Sequence, residues 1–196
     1  MKGTSDKGMI LNPSSTLQLD YYVDADFAGL YGVEDDQDPI CVKSRTGYLV
    51  TFMNCPLLWV SKLQTQIALS TMEAEYIALS HSMRDVISLC GVLSELKHYV
   101  LDGNLEDIQT VTHSTTFLPP STVHEDNTAA LKFATMPKMS PRTKHIAIPY
   151  HFFRSRVDSG EVKVAAIDTK LQLADQFTKG LPAPKFLSDR KALLGW

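Results

Sequence analysis

Two glutamates, Glu73 and Glu75, stand at the start of an amphipathic segment, and this placement constrains the fold more than any other part of the chain. Apolar residues recur at helical spacing after them, which predicts a helix from residue 70 to about residue 97 with one face packed on a core. Ser70 and Glu73 fit a capping box, in which each side chain accepts a hydrogen bond from the other residue's N–H. Glu75 borders the buried face without a basic residue one turn away, so its carboxylate needs a proton or a metal ion.

The composition is that of an ordinary globular domain and excludes several other classes. Of the 196 residues, 44% are hydrophobic and 21% are charged. No run of about 18 apolar residues is present to span a bilayer, and the polar residues 1–8 lack the apolar core of a signal peptide. Cys41, Cys55 and Cys90 are odd in number and far apart, which argues against disulfides and zinc. We therefore expect one domain, in the cytoplasm or the nucleus, without a membrane partner.

Local periodicity predicts an α/β domain with the element order β-β-β-α-β-α-α-β-α. The predicted strands cover 17–24, 46–53, 57–61, 122–126 and 162–167, and the predicted helices cover 70–97, 127–135, 138–156 and 171–178.

The same pattern sets the boundaries of the domain, which we predict over residues 17–181. Residues 1–16 are predicted to be a lead-in, 97–120 an insertion loop without a clear period, and 182–196 a tail. Pro149 must bend or interrupt the helix predicted over 138–156.

Four acids fall at strand ends or in helices, about 50 residues apart: Asp24, Glu75, Asp126 and Asp175. Neighbouring strand ends meet at one edge of a sheet, and a helix packed on that sheet can add a further carboxylate. Four converging carboxylates predict a site for two hard cations about 3.5–4 Å apart, the arrangement used in phosphoryl transfer. Asp26 has the same strand parity as Asp24, so the pattern alone does not choose between them.

A basic stretch over residues 138–156 contains no acid. Its basic residues are Lys138, Arg142, Lys144, Arg154 and Arg156. A solvated helix face normally mixes the two signs of charge, so the stretch favours contact with phosphates. The formal net charge of −3 gives no independent indication of nucleic-acid binding.

Seven motifs, taken in order, resemble those of the ribonuclease H domain in the Pol polyproteins of copia-type LTR retrotransposons. They are DADFAG from residue 24, RTGY from 45, WVSKLQ from 59, ALSTMEAEY from 68, EDN from 125, RTKHI from 142 and QLADQFTK from 172. Each motif is weak alone, and their ordered series is specific. The resemblance extends from about residue 19 to the C-terminus, and residues 2–4 resemble the link to an upstream reverse transcriptase.

The resemblance implies a ribonuclease H-like fold, with three antiparallel strands followed by two parallel ones in a five-stranded mixed sheet and helices on both faces. It implies that the four acids Asp24, Glu75, Asp126 and Asp175 are catalytic and hold two Mg²⁺ ions, for which Mn²⁺ can substitute. The family's mobile histidine before the last acid has no counterpart in residues 168–170.

The implied substrate is the RNA strand of an RNA–DNA hybrid, recognised by shape, phosphates and 2′-hydroxyls. A metal-activated water would attack the phosphate in line and leave 5′-phosphate and 3′-hydroxyl ends. Ser70, Asn127, Arg142, Lys144 and Arg154 are candidate nucleic-acid contacts, although Asn127 is equally suited to cap the following helix.

The implied context is a retrotransposon particle in the cytoplasm, or the nucleus, with the reverse transcriptase of the same polyprotein as partner. Two alternatives stay open. One is a catalytically silent module that binds hybrid or scaffolds the polymerase, and the other is a DNA transposase or integrase core, which shares the fold.

Overall fold

The computed structural model describes residues 6–34, 37–101, 120–135 and 147–196. These residues form a five-stranded sheet, four α-helices and two short 3₁₀ helices. The strands are β1 (Leu19–Asp26), β2 (Arg45–Phe52), β3 (Cys55–Leu63), β4 (Ser121–Glu125) and β5 (Val162–Ala166). The α-helices are α1 (Thr71–Leu101), α2 (Thr128–Thr135), α3 (Ala147–Asp158) and α4 (Ala183–Leu194), and the 3₁₀ helices are Thr169–Leu171 and Asp175–Phe177.

The sheet has the strand order β3-β2-β1-β4-β5. Strands β1, β2 and β3 pair antiparallel, whereas β4 pairs parallel to both β1 and β5. This arrangement confirms the predicted fold class. Because β1 and β4 are parallel neighbours, their carboxyl ends lie at the same edge of the sheet, which is where two of the predicted acids fall.

Helix α1 packs on one face of β1 and is buried on all sides over residues 73–80. The odd-numbered β1 side chains Tyr21 and Val23 lie in the same core cluster as Tyr76 and Leu79 of α1. Tyr76 also meets Phe153 of α3 edge-on, with ring centroids 5.8 Å apart. Residues 73–80 are thus buried on every side of the helix and not only along one apolar stripe. The two glutamates of the first two turns, Glu73 and Glu75, are buried with them.

The C-terminal part differs from the sequence prediction. In place of a helix over 171–178, the chain forms the two 3₁₀ helices, because the buried Gln172 side chain donates a hydrogen bond to the Val23 carbonyl at 2.9 Å and ties this segment to the sheet. Residues 183–194, predicted as part of a tail, form α4. The helix has Pro184 in its first turn and ends at Gly195, which adopts the left-handed conformation with φ of 83°.

Helix α4 also contacts the lead-in. The Ile10 N–H donates to the Leu194 carbonyl at 3.0 Å, and the Trp196 indole N–H donates to the Gly8 carbonyl at 2.8 Å. The two flanking segments of the chain therefore lie side by side.

Two predicted boundaries also change. Helix α1 continues to Leu101, past the predicted end near residue 97, and residues 102–119 of the predicted insertion lie outside the described residues. Helix α3 begins at Ala147, so Pro149 lies in its first turn, where proline is tolerated and causes no break. Residues 138–146 of the predicted helix are outside the described residues. In the described ranges, no helix combines the length and apolar character needed to cross a membrane.

Candidate metal centre

Three of the four predicted acids meet at the edge of the sheet. Asp24 belongs to β1, Asp126 directly follows β4, and Glu75 projects from the second turn of α1. Each offers a carboxylate oxygen, and these three oxygens all lie within 4.8 Å of one another. Asp24 and Glu75 are buried, with exposed fractions of 3% and 6%, whereas Asp126 is half-buried. The site is therefore open on the side of Asp126.

The structure separates Asp24 from Asp26, which the strand pattern left open. Asp26 is the last residue of β1, and its carboxylate lies over the following turn. A β-carbon at Gly29 would sit only 1.8 Å from Asp26 Oδ2, so the lack of a side chain at Gly29 leaves room for this carboxylate. The oxygens that converge are those of Asp24, Glu75 and Asp126, and the Asp26 carboxylate is not among them.

Asp175 reaches the same site through a lysine. Asp175 is buried at the start of the second 3₁₀ helix, and its Oδ1 lies 2.8 Å from Lys179 Nζ. The same ammonium lies 3.6 Å from Asp24 Oδ2. The Thr178 hydroxyl between them donates a hydrogen bond to the Asp24 carboxylate. The motif 175–179 therefore contributes one acid, one hydroxyl and one cation.

A fifth carboxylate, Glu125, lies inside the protein next to Asp126. It is fully buried, and its Oε1 accepts a hydrogen bond from the Asn127 N–H at 3.0 Å. Its other oxygen, Oε2, and Glu75 Oε2 are buried and have no hydrogen-bond partner within the described part of the chain. Two buried carboxylate oxygens thus lack the donor that such groups normally require.

Burial and crowding raise the pKa values of three of the buried acids, Glu75, Glu125 and Asp24. Burial raises the pKa of Glu75 to about 10, and the neighbouring charges of Glu125, Asp24 and Asp126 add to the rise, against one hydrogen bond from the Ala25 backbone. Burial also raises the pKa of Glu125, which the Asn127 N–H lowers and the nearby Asp126 raises further. The pKa of Asp24 rises on burial too, although Thr178 and Lys179 oppose this. A metal-free site therefore retains protons at neutral pH.

This donor set suits hard divalent cations. Mg²⁺ and Mn²⁺ take oxygen ligands, and the three converging carboxylates supply them. The unpaired Glu75 Oε2 is the clearest mark of a missing partner, because an ion bound among the three acids would satisfy it. The residues present therefore fit a divalent metal ion.

Sequence reasoning did not single out Glu125, Thr178 and Lys179 as individual residues of the site. Glu125 has the β4 parity of the buried Ser121 and Val123, and this alternation was a usable signal for an inward-facing acid. Lys179 is four residues after Asp175, a spacing that typically brings an acid and a base together on a helical turn. Thr178 contacts Asp24 across 154 positions of sequence, and no local pattern indicates such a contact.

The candidate nucleic-acid contacts Ser70 and Asn127 cap helices. Ser70 Oγ accepts from the Glu73 N–H at 3.2 Å, as the capping box predicts, but the Glu73 carboxylate accepts from the Leu69 N–H at 2.8 Å, where the prediction had the Ser70 N–H. The Leu69 N–H precedes the helix, as the Ser70 N–H does, and it lies within reach of the same carboxylate. Asn127 Oδ1 accepts from the N–H groups of Ala129 and Ala130 at 2.9 and 3.1 Å and so caps α2.

Two arginines of the basic stretch form ion pairs with acids that lie outside it. Arg154 pairs with Asp158 at 3.2 Å, and Arg156 pairs with Glu161 at 3.0 Å. Both acids lie just after the stretch and were therefore not counted in it. Arg142 and Lys144 lie outside the described residues.

A separate apolar cavity of about 380 Å³ lies between the β2–β3 hairpin and α4. Its aromatic lining includes Trp59, Phe177, Phe186 and Trp196. Among the described residues, Arg190 is its one charged lining residue and no carboxylate lines it, so the metal-ligating chemistry of this part of the chain belongs to the acid cluster.

Two solved ribonuclease H structures resemble this fold. LC11-RNase H1, isolated from compost, superposes with a TM-score of 0.50 at 15% identity and covers 83% of this chain and 94% of its own. The N-terminal RNase H domain of rv2228c from Mycobacterium tuberculosis superposes with a TM-score of 0.52 at 10% identity and covers 90% and 99%. With the sheet topology described above, these neighbours define the chain as a ribonuclease H-like domain.

Two of its sequence relatives are Pol polyproteins of transposons. The chain is 34% identical over 186 residues to the retrovirus-related Pol polyprotein of transposon RE2 from Arabidopsis thaliana. It is 35% identical over 190 residues to that of transposon TNT 1-94 from Nicotiana tabacum. Each match covers 95% of this chain, and the chain spans about a tenth of the length of these relatives, 11% and 12%.

The chain is therefore a homologue of a segment of the Pol polyproteins of copia-type transposons, which confirms the resemblance identified from its motifs. No protein-family model matches the chain.

Proposed function

We propose that this domain is an endonuclease that hydrolyses the RNA strand of RNA–DNA hybrids during retrotransposon reverse transcription. The observation that carries the proposal is the meeting of Asp24, Glu75 and Asp126 within 4.8 Å, with Asp175 beside Asp24 across Lys179. Relatives that are Pol polyproteins and a fold shared with ribonucleases H support this reading over other phosphoryl-transfer reactions.

The four acids would together form the metal-binding set in this proposal. Asp24, Glu75 and Asp126 would hold two Mg²⁺ or Mn²⁺ ions, and Asp175, which is buried beside Asp24, would complete the ligand set. When bound, such ions lower the pKa of a water nucleophile and stabilise the charge on the attacking and leaving oxygens. The products would then carry 5′-phosphate and 3′-hydroxyl ends.

The raised pKa of Glu75 has a direct consequence for loading. A carboxylate must be deprotonated to bind a metal ion, so metal binding would release the proton that Glu75 holds in the metal-free state. The buried wall formed by α1 and β1 keeps the Glu75 carboxylate in place and excludes water behind it. The half-buried Asp126 marks the side from which the hybrid would approach.

Hybrid recognition would rest on the backbone of the nucleic acid, since shape and 2′-hydroxyls distinguish RNA from DNA. Arg142 and Lys144 are proposed as phosphate contacts on the basis of the sequence. The partial pairing of Arg154 with Asp158 makes it a secondary candidate. Ser70 and Asn127 have their side-chain oxygens engaged in caps, so we propose that any contact they make with the hybrid is secondary to capping.

The polyprotein context implies a reverse transcriptase as the natural partner of this domain. We propose that the two act together on the same hybrid, in the cytoplasm within the transposon particle or in the nucleus. The alternative is a silent hybrid-binding module, in which Lys179 would stay paired with two of the four acids and no metal ion would bind.

A strand-specific cleavage assay distinguishes these possibilities. The purified chain is incubated with Mg²⁺ or Mn²⁺ and a hybrid labelled separately on its RNA and DNA strands, with Asp126→Asn as the matched control. The proposal predicts metal-dependent cutting of the RNA strand alone, and none by the variant, at an unchanged far-UV circular dichroism spectrum. Cleavage by Asp126→Asn at the wild-type rate would reject the acid site, and hybrid binding without cleavage would favour the silent module.

A further inference from the structure

The Lys179 ammonium lies between two of the acids, Asp24 and Asp175. Its Nζ lies 2.8 Å from Asp175 Oδ1 and 3.6 Å from Asp24 Oδ2, so one ammonium bridges the carboxylates from β1 and the second 3₁₀ helix. Both acids are buried, with side chains about 4% exposed. A cation at this point compensates charges that water cannot reach.

The bridge engages a carboxylate that a metal ion would also need. Asp24 Oδ2 pairs with Lys179 and also accepts the hydrogen bond from Thr178, and Asp24 belongs to the group of three converging acids. A divalent ion bound to the Asp24 carboxylate therefore meets a competing positive charge on one of its ligands. Two cations on one carboxylate repel each other and compete for its negative charge.

The Lys179 side chain has a route away from the site. Its side chain is 42% exposed, whereas those of its two acid partners are almost fully enclosed. A flexible four-carbon stem that is partly in solvent can swing its ammonium into water without disturbing the backbone.

We propose that Lys179 is a positioning residue that acts as an internal counter-cation: it holds Asp24 and Asp175 together in the metal-free domain, and a divalent metal ion displaces it on binding. The inference rests on the proposed metal site and adds that Lys179 competes with the metal ion for its carboxylates. Removal of the ammonium makes the metal-free domain less stable and the metal-bound form easier to reach.

The first test is a metal titration of Lys179→Gln and Lys179→Arg, with Mg²⁺ or Mn²⁺ alone as the probe. The matched control is Lys185→Gln, because Lys185 forms a similar partly exposed pair with the buried Asp189, also four residues apart, in α4. Lys179→Gln should bind the metal about three- to tenfold more tightly, as expected when one partly exposed ion-pair competitor is lost. Its melting temperature should fall in EDTA and recover with metal, whereas Lys179→Arg, which keeps the charge, should stay near wild type.

The second test follows the lysine itself. Amine labelling with an acetylating reagent, read by mass spectrometry, should modify Lys179 faster when Mn²⁺ is present, while Lys185 should label at the same rate in both states. Slower or unchanged labelling of Lys179 in metal, or equal metal affinity of Lys179→Gln and wild type, overturns the inference. If wild type itself binds neither ion, the proposed metal site fails as well, and the two failures are thereby told apart.

Discussion

Glu75→Gln should separate two effects of the buried Glu75 carboxylate, which are its cost to the stability of the metal-free domain and its contribution to cleavage. Glu75 is 6% exposed, and burial together with the charges of Glu125, Asp24 and Asp126 raises its pKa from the ordinary value of 4.5. Gln keeps the shape and can still accept the hydrogen bond from the Ala25 N–H, but it carries no titrating proton. The substitution should abolish cleavage and make the metal-free domain more stable at neutral pH.

The sign of the pH effect follows from proton linkage. Above pH 4.5 the unfolded chain loses the Glu75 proton, whereas the folded domain keeps it up to the raised pKa. The folded state therefore binds one more proton throughout this window, so stability is full at low pH and is lost as the pH rises. One proton corresponds to about 1.4 kcal/mol per pH unit, so wild type should lose about 3 kcal/mol between pH 5.5 and 7.5 from this group.

The assay is urea unfolding in EDTA at several pH values, since EDTA removes any metal that would satisfy the site. The slope of the unfolding free energy against pH should be less negative in Glu75→Gln by about 1.4 kcal/mol per unit. Glu73→Gln is the control on the same helix, because its amide oxygen can still accept from the Leu69 N–H and cleavage should persist. Equal slopes in Glu75→Gln and wild type would show that Glu75 does not hold the proton, and the reasoning about the site would be wrong.

Three further perturbations test the parts around the site. Glu73→Ala removes the acceptor of the Leu69 N–H, so urea unfolding should show a loss of about 0.5–2 kcal/mol while cleavage persists. Gly47→Ala would place a β-carbon 2.6 Å from Thr178 Cγ2, which should cost about 1–3 kcal/mol in the same assay and slow cleavage by displacing the Thr178 hydroxyl from Asp24; wild-type activity would contradict the positioning role of this contact. Replacing Arg142 and Lys144 by Ala should weaken hybrid binding and lower its salt slope by about one unit for each lost phosphate contact, and a salt series with unchanged slope would exclude these contacts.

Local patterns were enough for most of the framework. Alternation of apolar and polar residues marked β1, and helical spacing marked α1, because both depend on neighbours within a few positions. The capping role of Ser70 followed from the same local chemistry, and so did the position of Asp126 at the end of a strand. The motif order was enough to identify the family, and the sequence relatives agree with it.

Local patterns failed where a residue's state depends on distant partners. The segment 171–178 has helix-forming residues, but Gln172 donates to the Val23 carbonyl 149 positions away, and this contact holds the chain in two short turns. Conversely, residues 183–194 form a helix that closes against the lead-in, although the paired prolines at its start resemble those of a tail.

The sequence by itself determined which acids were available, since residue type is a property of the chain, and its periodicity predicted four of them at strand ends or in helices. Only the tertiary structure decided that Asp24 joins Glu75 and Asp126, whereas the Asp26 carboxylate lies against Gly29 in the following turn. It also decided that Glu125 is buried beside the cluster and that Lys179 bridges two acids. Such charge states are set by desolvation and by neighbours brought together across the sheet, and these arise only when the chain has folded.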